Sequence, residues 1–303
     1  MPRTRRFGNF DTAYACRLML DLADFQVHEK ITYKVFSEMM IGHASSAWRY
    51  RQFILSSIRG ELKGRFASSK MGALWHILNP LAMAAIYALV LSKILGAKVG
   101  GVENDAAYAI YLMAGIASWG LFTEITLRCL NIFLEYSNTM KKIAFPRVAL
   151  PLIVLGGALI NHLLLLAASV MVFAFFSHFP SLPWIALPVG IILTAAFAFG
   201  LGIILGVLNV FVRDVGQFML VVLQLWFWLT PIVYPFHVLP DAMQTIISYN
   251  PMLPVVQFYQ DIMLYNKWPD FVSLQYPATL SIVLLLVAVF LFRRASPEIV
   301  DVL

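Results

Sequence analysis

The chain has 303 residues, 60% of them hydrophobic and only 13% charged, with a net charge of +6 and a mean hydropathy of +0.78. Soluble domains carry about a quarter charged residues, so this composition excludes an ordinary water-soluble enzyme and indicates a membrane protein. The basic residues border apolar runs instead of gathering into a groove-sized patch, which excludes a nucleic-acid partner and fits anionic lipid headgroups.

Taken in chain order, residues 1–49 form a basic tail. No apolar stretch of signal-peptide length follows "MPRTRRFGNF", so no cleaved signal peptide is expected and the tail is retained. Cys16 and Cys129 are far apart and belong to no CxxC or Cys/His set, so neither a disulfide nor a metal site is predicted. From Tyr50 to Lys70 the pattern turns amphipathic. At 100° per residue, Ile54, Leu55, Ile58, Leu62 and Phe66 fall within about a 120° arc, with Arg59 and Lys63 opposite. This predicts a helix lying along the inner membrane surface, with Arg51, Arg59, Glu61, Lys63, Arg65 and Lys70 as its charged residues and Arg59, Glu61, Lys63 and Arg65 as the interface candidates. Lipid anchoring alone and contact with a cytoplasmic partner both fit that helix.

A helix needs roughly 20 apolar residues to cross hydrocarbon, and six stretches serve as spans: Gly72–Leu91, Ala106–Leu127, Val148–Phe176, Pro183–Val212, Gly216–Tyr234 and Pro277–Phe292. The uncharged interval from Val148 to Val212 is too long for one crossing. "SHFPSLP" (Ser177–Pro183) breaks it into a helical hairpin, because proline ends a helix at or just before itself. Every Lys and Arg except Lys93, Lys98 and Lys267 falls on one side of these spans, which puts both termini in the cytoplasm. Within the spans, Glu124 and Arg128 are spaced to pair. Asn79, Asn161, His162 and Asn209 are expected to hydrogen-bond between helices, and Gly200, Gly202 and Gly206 to let helices approach closely.

No GxxxxGK[ST] loop, HExxH, GxSxG or paired-carboxylate set occurs, so the chain is expected neither to bind ATP nor to hydrolyse anything by itself. Secondary transporters carry inverted repeats and intramembrane ionisable groups, and here there is no clear repeat and Glu124 is the single acidic candidate. Asp241, Asp261 and Asp270 are scattered without a DxD pair, which weighs against a glycosyltransferase.

Five motifs carry a resemblance. They are "ELKGRFASSKMGALWHILNPLAMAAIYALV" (with Lys63, Arg65, Phe66, Gly72, Trp75, Pro80 and Leu81), "KKIAFPRVALPL", "VRDV", "LTPIVYP" and "YNPMLPVVQFYQDIML". In this order, over about Tyr50 to Arg294, the chain resembles the ABC-2 type permeases, in the branch that exports polysaccharides such as O antigen, capsule and teichoic acid. The resemblance implies an all-α polytopic fold. Its parts are an interface helix over 50–70, six spans, a cytoplasmic coupling helix, short extracytoplasmic re-entrant helices before the last span, and cytoplasmic tails over 1–49 and 295–303.

It also implies that Lys141, Lys142, Phe145, Pro146, Arg147, Arg213 and Asp214 couple the chain to an ATPase. An ordinary positive-inside loop and a plain turn are the competing readings of those two segments. Aromatic faces can hold sugar rings without binding a moving polymer too tightly, so Tyr87, Trp119, Trp226, Trp228, Tyr234, Tyr249 and Tyr259 are pathway candidates; core packing is the alternative for each. The implied assembly lies in the bacterial cytoplasmic (inner) membrane. Six helices enclose too little space for a glycan, so a second copy of the chain is expected as a homodimer, with two ATPase subunits. ATP and Mg then belong to the ATPase and no cofactor to this chain. The cargo would be lipid-linked polysaccharide, or alternatively a small drug or lipid.

Overall fold

The computed structural model describes residues 50–68, 75–87, 107–142 and 147–302. By contacts the chain divides after Gln52, and the compact unit described below begins at Phe53. Residues 1–49, both ends of the predicted first span, Phe145 and Pro146 lie outside the described residues. Within them the secondary structure is helical and contains no strand. The elements are α1 (Arg51–Ser68), α2 (Trp75–Tyr87), α3 (Ala107–Glu135), α4 (Ser137–Lys142), α5 (Ala149–Phe175), a 3-10 turn (Leu182–Ala186) leading into α6 (Leu187–Phe211), α7 (Asp214–Trp228), α8 (Asp241–Ser248), α9 (Met252–Met263) and α10 (Gln275–Val302).

Four described helices are long and apolar enough to cross a membrane: Ala107–Glu135, Ala149–Ala174, Leu182–Phe211 and Gln275–Ser296. The third and fourth predicted spans match their helices closely. The second and sixth run further than predicted. In α3, burial of Cys129, Leu130, Ile132 and Phe133 continues past Leu127; in α10, Ala295 and Ile299 continue the buried stripe of Phe292. Helical spacing of apolar residues carries both helices beyond the uncharged stretch by which the spans were bounded.

The fifth span is shorter than predicted, because α7 stops at Trp228 and not near Tyr234. Pro231 has no backbone N–H to continue the helix and disfavours helical geometry at Thr230. The "WFW" aromatics therefore stand at the end of α7.

The helix α3 is central, packing on α2, α5, α6 and α9. It runs parallel to α6: Phe122 stacks on Phe197 at 5.5 Å, and further along Gly202 and Gly206 lie against Cys129. A Cβ at Gly206 would strike the Cys129 carbonyl oxygen, so only glycine permits this approach. At Gly200 the neighbour is the α10 backbone, with a Cβ 3.0 Å from the Leu284 carbonyl carbon. In contrast, α5 runs antiparallel to α3, placing Gly157 beside Arg128 and Asn161 beside Glu124.

The hairpin joining α5 to α6 falls where proline spacing puts it. Ser177 takes the left-handed conformation (φ 57°), and the N–H groups of Ser177 and His178 bond back to the Ala174 and Phe173 carbonyls at 3.0 and 2.9 Å. This is a helix-closing turn built without glycine. The Ser181 hydroxyl and the Trp184 indole N–H both reach the Asn266 amide oxygen, at 2.7 and 3.3 Å, fastening the hairpin to the segment after α9.

Candidate functional site

Two clusters of polar side chains stand at opposite ends of the bundle. One lies at the basic end, where α1, α4 and the ends of α3, α6 and α10 meet. Arg128 of α3 donates to Glu61 of α1 at 2.5 Å and to Glu124, one turn back on its own helix, at 3.4 Å. Asn161 of α5 donates to the same Glu124 oxygen at 2.6 Å. Arg128, Glu61 and Glu124 are each about a quarter exposed, so the charges are withdrawn from water but not sealed from it. Below this network Ile58 of α1 fills the space left by Gly156 of α5. The amphipathic helix is thus latched to two spans by one apolar peg and one guanidinium. The predicted Glu124–Arg128 pair is present, yet the shorter bond goes to Glu61.

The coupling candidates divide. Lys141 on α4 is exposed, while Met140 beside it is buried. Lys142 closes the same helix, its side chain lying outside the described residues. Arg147 is half-buried and donates to the Ser296 hydroxyl of α10 at 3.0 Å. Arg213 and Asp214 are exposed at the turn between α6 and α7, without an ion-pair partner among the described residues. That turn is held by Asn209, whose amide group donates to the Leu130 carbonyl at 3.1 Å while its oxygen accepts the Gly216 N–H at 3.0 Å. Asn209 thus gives a donor in the first turn of α7 a shorter bond than the 3.3 Å one that Gly216 N–H makes to the Arg213 carbonyl. Arg59 and Lys63 are exposed on α1 while Glu61 turns inward; Arg65 lies on the same helix, its side chain outside the described residues.

The second cluster is at the far end. Here residues 229–235 are non-helical yet Thr230, Pro231, Ile232 and Val233 are buried, so their backbone needs partners from the protein. Tyr111 donates to the Pro231 and Tyr234 carbonyls at 3.2 and 3.0 Å, and Tyr108 to the Val233 carbonyl at 2.5 Å. Gln260 also donates to the Pro231 carbonyl, at 3.3 Å. Asn250 completes the seam: its oxygen accepts the Trp226 indole N–H at 2.9 Å, and its amide group bonds the Leu229 carbonyl and the Thr230 hydroxyl. Sequence reasoning missed Tyr108, Tyr111, Gln260 and Asn250. Their signal was available in principle, as two tyrosines one helical turn apart at the start of a span opposite a proline-interrupted one.

The aromatic candidates occupy three environments. Trp119 is 8% exposed and packs with Phe122, Trp226 and Phe227, its ring 6.2 Å from Trp226, which in turn meets Phe197. Tyr259 is fully buried and in hydrogen-bond contact with His162 at 3.2 Å. Tyr234 is half-buried, its hydroxyl bonded to the Trp228 carbonyl at 2.6 Å. Trp228 and Tyr249 are open, at 51% and 75%. Tyr87 ends α2, and its side chain lies outside the described residues. Of the four polar residues expected between helices, Asn161, His162 and Asn209 make such contacts, whereas Asn79 is exposed. The two short helices also differ from each other: α8 is largely exposed, whereas α9 is buried along nearly its whole length against α3 and α6, not laid on a surface.

Comparison with known proteins follows the same extent of chain. The sequence profile of the ABC-2 type transporter family matches residues 52–264. The O-antigen export system permease protein RfbA of Klebsiella pneumoniae is 29% identical over 248 residues, covering 80% of this chain and 92% of that protein. Its namesake in Myxococcus xanthus is 26% identical over 264 residues, covering 86% and 99%. The polysialic acid transport protein KpsM of Escherichia coli is 22% identical over 238 residues, covering 77% and 89%.

Proposed function

The chain belongs to the ABC-2 type transporter family, and from that premise we propose that it is the permease subunit of an ATP-driven exporter of lipid-linked polysaccharide. The observation that carries this reading is the length of the match: relatives named for O-antigen and polysialic acid export align over nearly their whole chains. Those names favour a glycan over a small drug. In this reading the six spans are α2, α3, α5, α6 with its leading turn, α7 and α10. The basic end faces the cytoplasm, together with both termini, by the positive-inside rule. The membrane is the bacterial cytoplasmic one.

A homodimer with two ATPase subunits completes the assembly, and ATP and Mg bind the ATPase. The exposed face of α7 supports a pathway between two copies. Gln217, Gln224 and Trp228 are exposed and fall within about a 60° arc at 3.6 residues per turn. A helix turned wholly toward lipid would not present two amides there. Trp228, Tyr234 and Tyr249 are the aromatics placed to meet a passing sugar, while Trp119, Trp226 and Tyr259 act through packing. Movement of the ATPase enters through Lys141, Lys142, Phe145, Pro146, Arg147, Arg213 and Asp214 and through α1, and the Glu61–Arg128 link carries it from α1 into α3 and α5.

Deleting the gene should remove surface polysaccharide, and the intact gene together with its ATPase should restore it. A Phe145→Ala/Arg147→Ala double variant should not restore it, while Ser296→Ala, which removes only the internal bond of Arg147, should. Unchanged polysaccharide after deletion, or uphill export by the isolated chain without nucleotide, overturns the reading.

A further inference from the structure

At the far end a half-open cleft of about 270 Å³ lies between α9, the start of α3 and residues 231–237. Positions 257, 260 and 261 share one face of α9, since residues three and four apart are neighbours on a helix, so Gln257, Gln260 and Asp261 all line it. Phe236 and His237 form the facing wall and Tyr265 closes one side. Gln260 and Tyr111 are committed to carbonyl groups of the 229–235 segment. Among the described residues, the side chains of Gln257, Asp261, His237 and Tyr265 have no hydrogen-bond or ion-pair partner. Four hydrogen-bonding side chains, three half-buried and His237 exposed, thus converge on one cleft with no protein partner among the described residues.

The chemistry of the lining selects a ligand class. A metal ion is disfavoured, because no group of three or more His, Cys, Asp or Glu side chains that could hold one occurs among the described residues. An anion is disfavoured by the Asp261 carboxylate and the nearby Asp270. Asp261 is half-buried; burial pushes its carboxyl up and Asp270 adds to that, while Lys267 pulls it down. An apolar ligand would strand the amide, the carboxylate and the imidazole. A neutral polyol suits all of them. Its hydroxyls donate to the carboxylate, forming the stronger charge-assisted bond, and they accept from or donate to Gln257, His237 and the Tyr265 hydroxyl. The rings of Tyr265 and Phe236 offer flat apolar faces to its C–H edges. The volume lies just under the lower end of the ~300–1,000 Å³ typical of drug-sized ligands, which fits one sugar ring.

We infer that this cleft is a binding site for a neutral sugar ring at the outer end of the protein, with Asp261 and Gln257 as its recognition residues. The inference rests on the proposed function only for its orientation and for the source of the sugar.

The full chain with its ATPase, reconstituted in nanodiscs, is titrated with maltotetraose, chitotetraose and a sialic acid tetramer, with saturation-transfer NMR as the readout. At least one neutral tetrasaccharide should bind, and at least tenfold more tightly than the acidic one. Asp261→Asn and Gln257→Ala should each weaken neutral binding at least tenfold without moving the melting temperature. His237→Ala, at an exposed position, should weaken it in the same direction, and Asp241→Asn on α8 should change nothing. No binding of either neutral probe, or binding indifferent to both Asp261→Asn and Gln257→Ala, overturns the site. Export by the same variants separates two sources of sugar: slowing assigns the site to polymer in transit, and unchanged export assigns it to saccharide met from outside. Intact binding with normal surface polysaccharide after gene deletion removes the export reading and leaves the cleft standing. Normal export with no sugar binding does the reverse.

Discussion

The two ends of the bundle solve the same problem, joining helices through polar groups, with different chemistry. At the basic end the link is ionic and runs side chain to side chain: Arg128 holds Glu61 and Glu124, and Asn161 shares Glu124. At the far end the link is neutral and runs from side chain to backbone, with Tyr108, Tyr111, Gln260 and Asn250 meeting the carbonyls of a non-helical segment. The difference follows from what each end must satisfy. Near water and lipid headgroups a charge costs little to keep, and a guanidinium can hold two carboxylates on separate helices. Inside the far end there is exposed backbone to satisfy, and hydroxyls and amides do that without a charge to bury. One end is an ionic latch between helices, and the other is a neutral brace under a non-helical turn.

Removing the cation should break this contrast hardest. Arg128→Ala removes the guanidinium that Glu61 and Glu124 share, and the loss should reach about 2–4 kcal/mol of unfolding free energy in detergent. Replacing both Glu61 and Glu124 by Gln in that background should recover much of it, because the repulsion goes with the charges. A change under about 0.5 kcal/mol for Arg128→Ala would reduce the latch to a surface ion pair. The Tyr108→Phe/Tyr111→Phe double variant should cost less, about 1–3 kcal/mol, by leaving buried carbonyls without donors. The carbonyls that lose their donor are those of Val233 and Tyr234, since Pro231 keeps Gln260. The effect should also be indifferent to salt, whereas that of Arg128→Ala should shrink as salt rises. Equal salt dependence in the two variants would erase the distinction between the ends.

How much of this was legible in the sequence follows the same division. Apolar length and proline placement locate α5, the hairpin at Ser177–Pro183 and α6, because crossing a membrane is a constraint on consecutive residues. Pairing of Glu124 with Arg128 is legible for the same reason, being local to one helix. The partnership of Arg128 with Glu61 joins residues far apart in the chain and depends on how α1 docks, which helical periodicity does not specify. At the far end, hydrophobicity reads "LTPIVYP" as the close of a span. The competing facts were that Pro231 stops α7 and that Tyr108 and Tyr111 stand ready to satisfy the resulting turn. Nothing local in the sequence says that the apolar residues of α9 are taken up by α3 and α6, because that packing joins distant segments.

The smallest expected effect on folding is the one that best separates a structural role from a coupling role. Asp214 lies in the first turn of α7, exposed and without an ion-pair partner among the described residues. The turn it follows is already held by Asn209 through the Gly216 N–H and the Leu130 carbonyl. Its contribution to the fold is then the favourable field of the helix N-terminus, roughly 0.3–1 kcal/mol and weaker in salt. Asp214→Asn should therefore shift the unfolding midpoint barely, and Arg213→Ala should do the same. In the proposed transporter both should lower the polysaccharide-dependent rate of ATP hydrolysis severalfold, since no ion-pair partner among the described residues consumes their charges. Wild-type hydrolysis in both variants would make this pair a turn and nothing more, and would confine the proposed coupling to α1 and the Lys141–Arg147 segment.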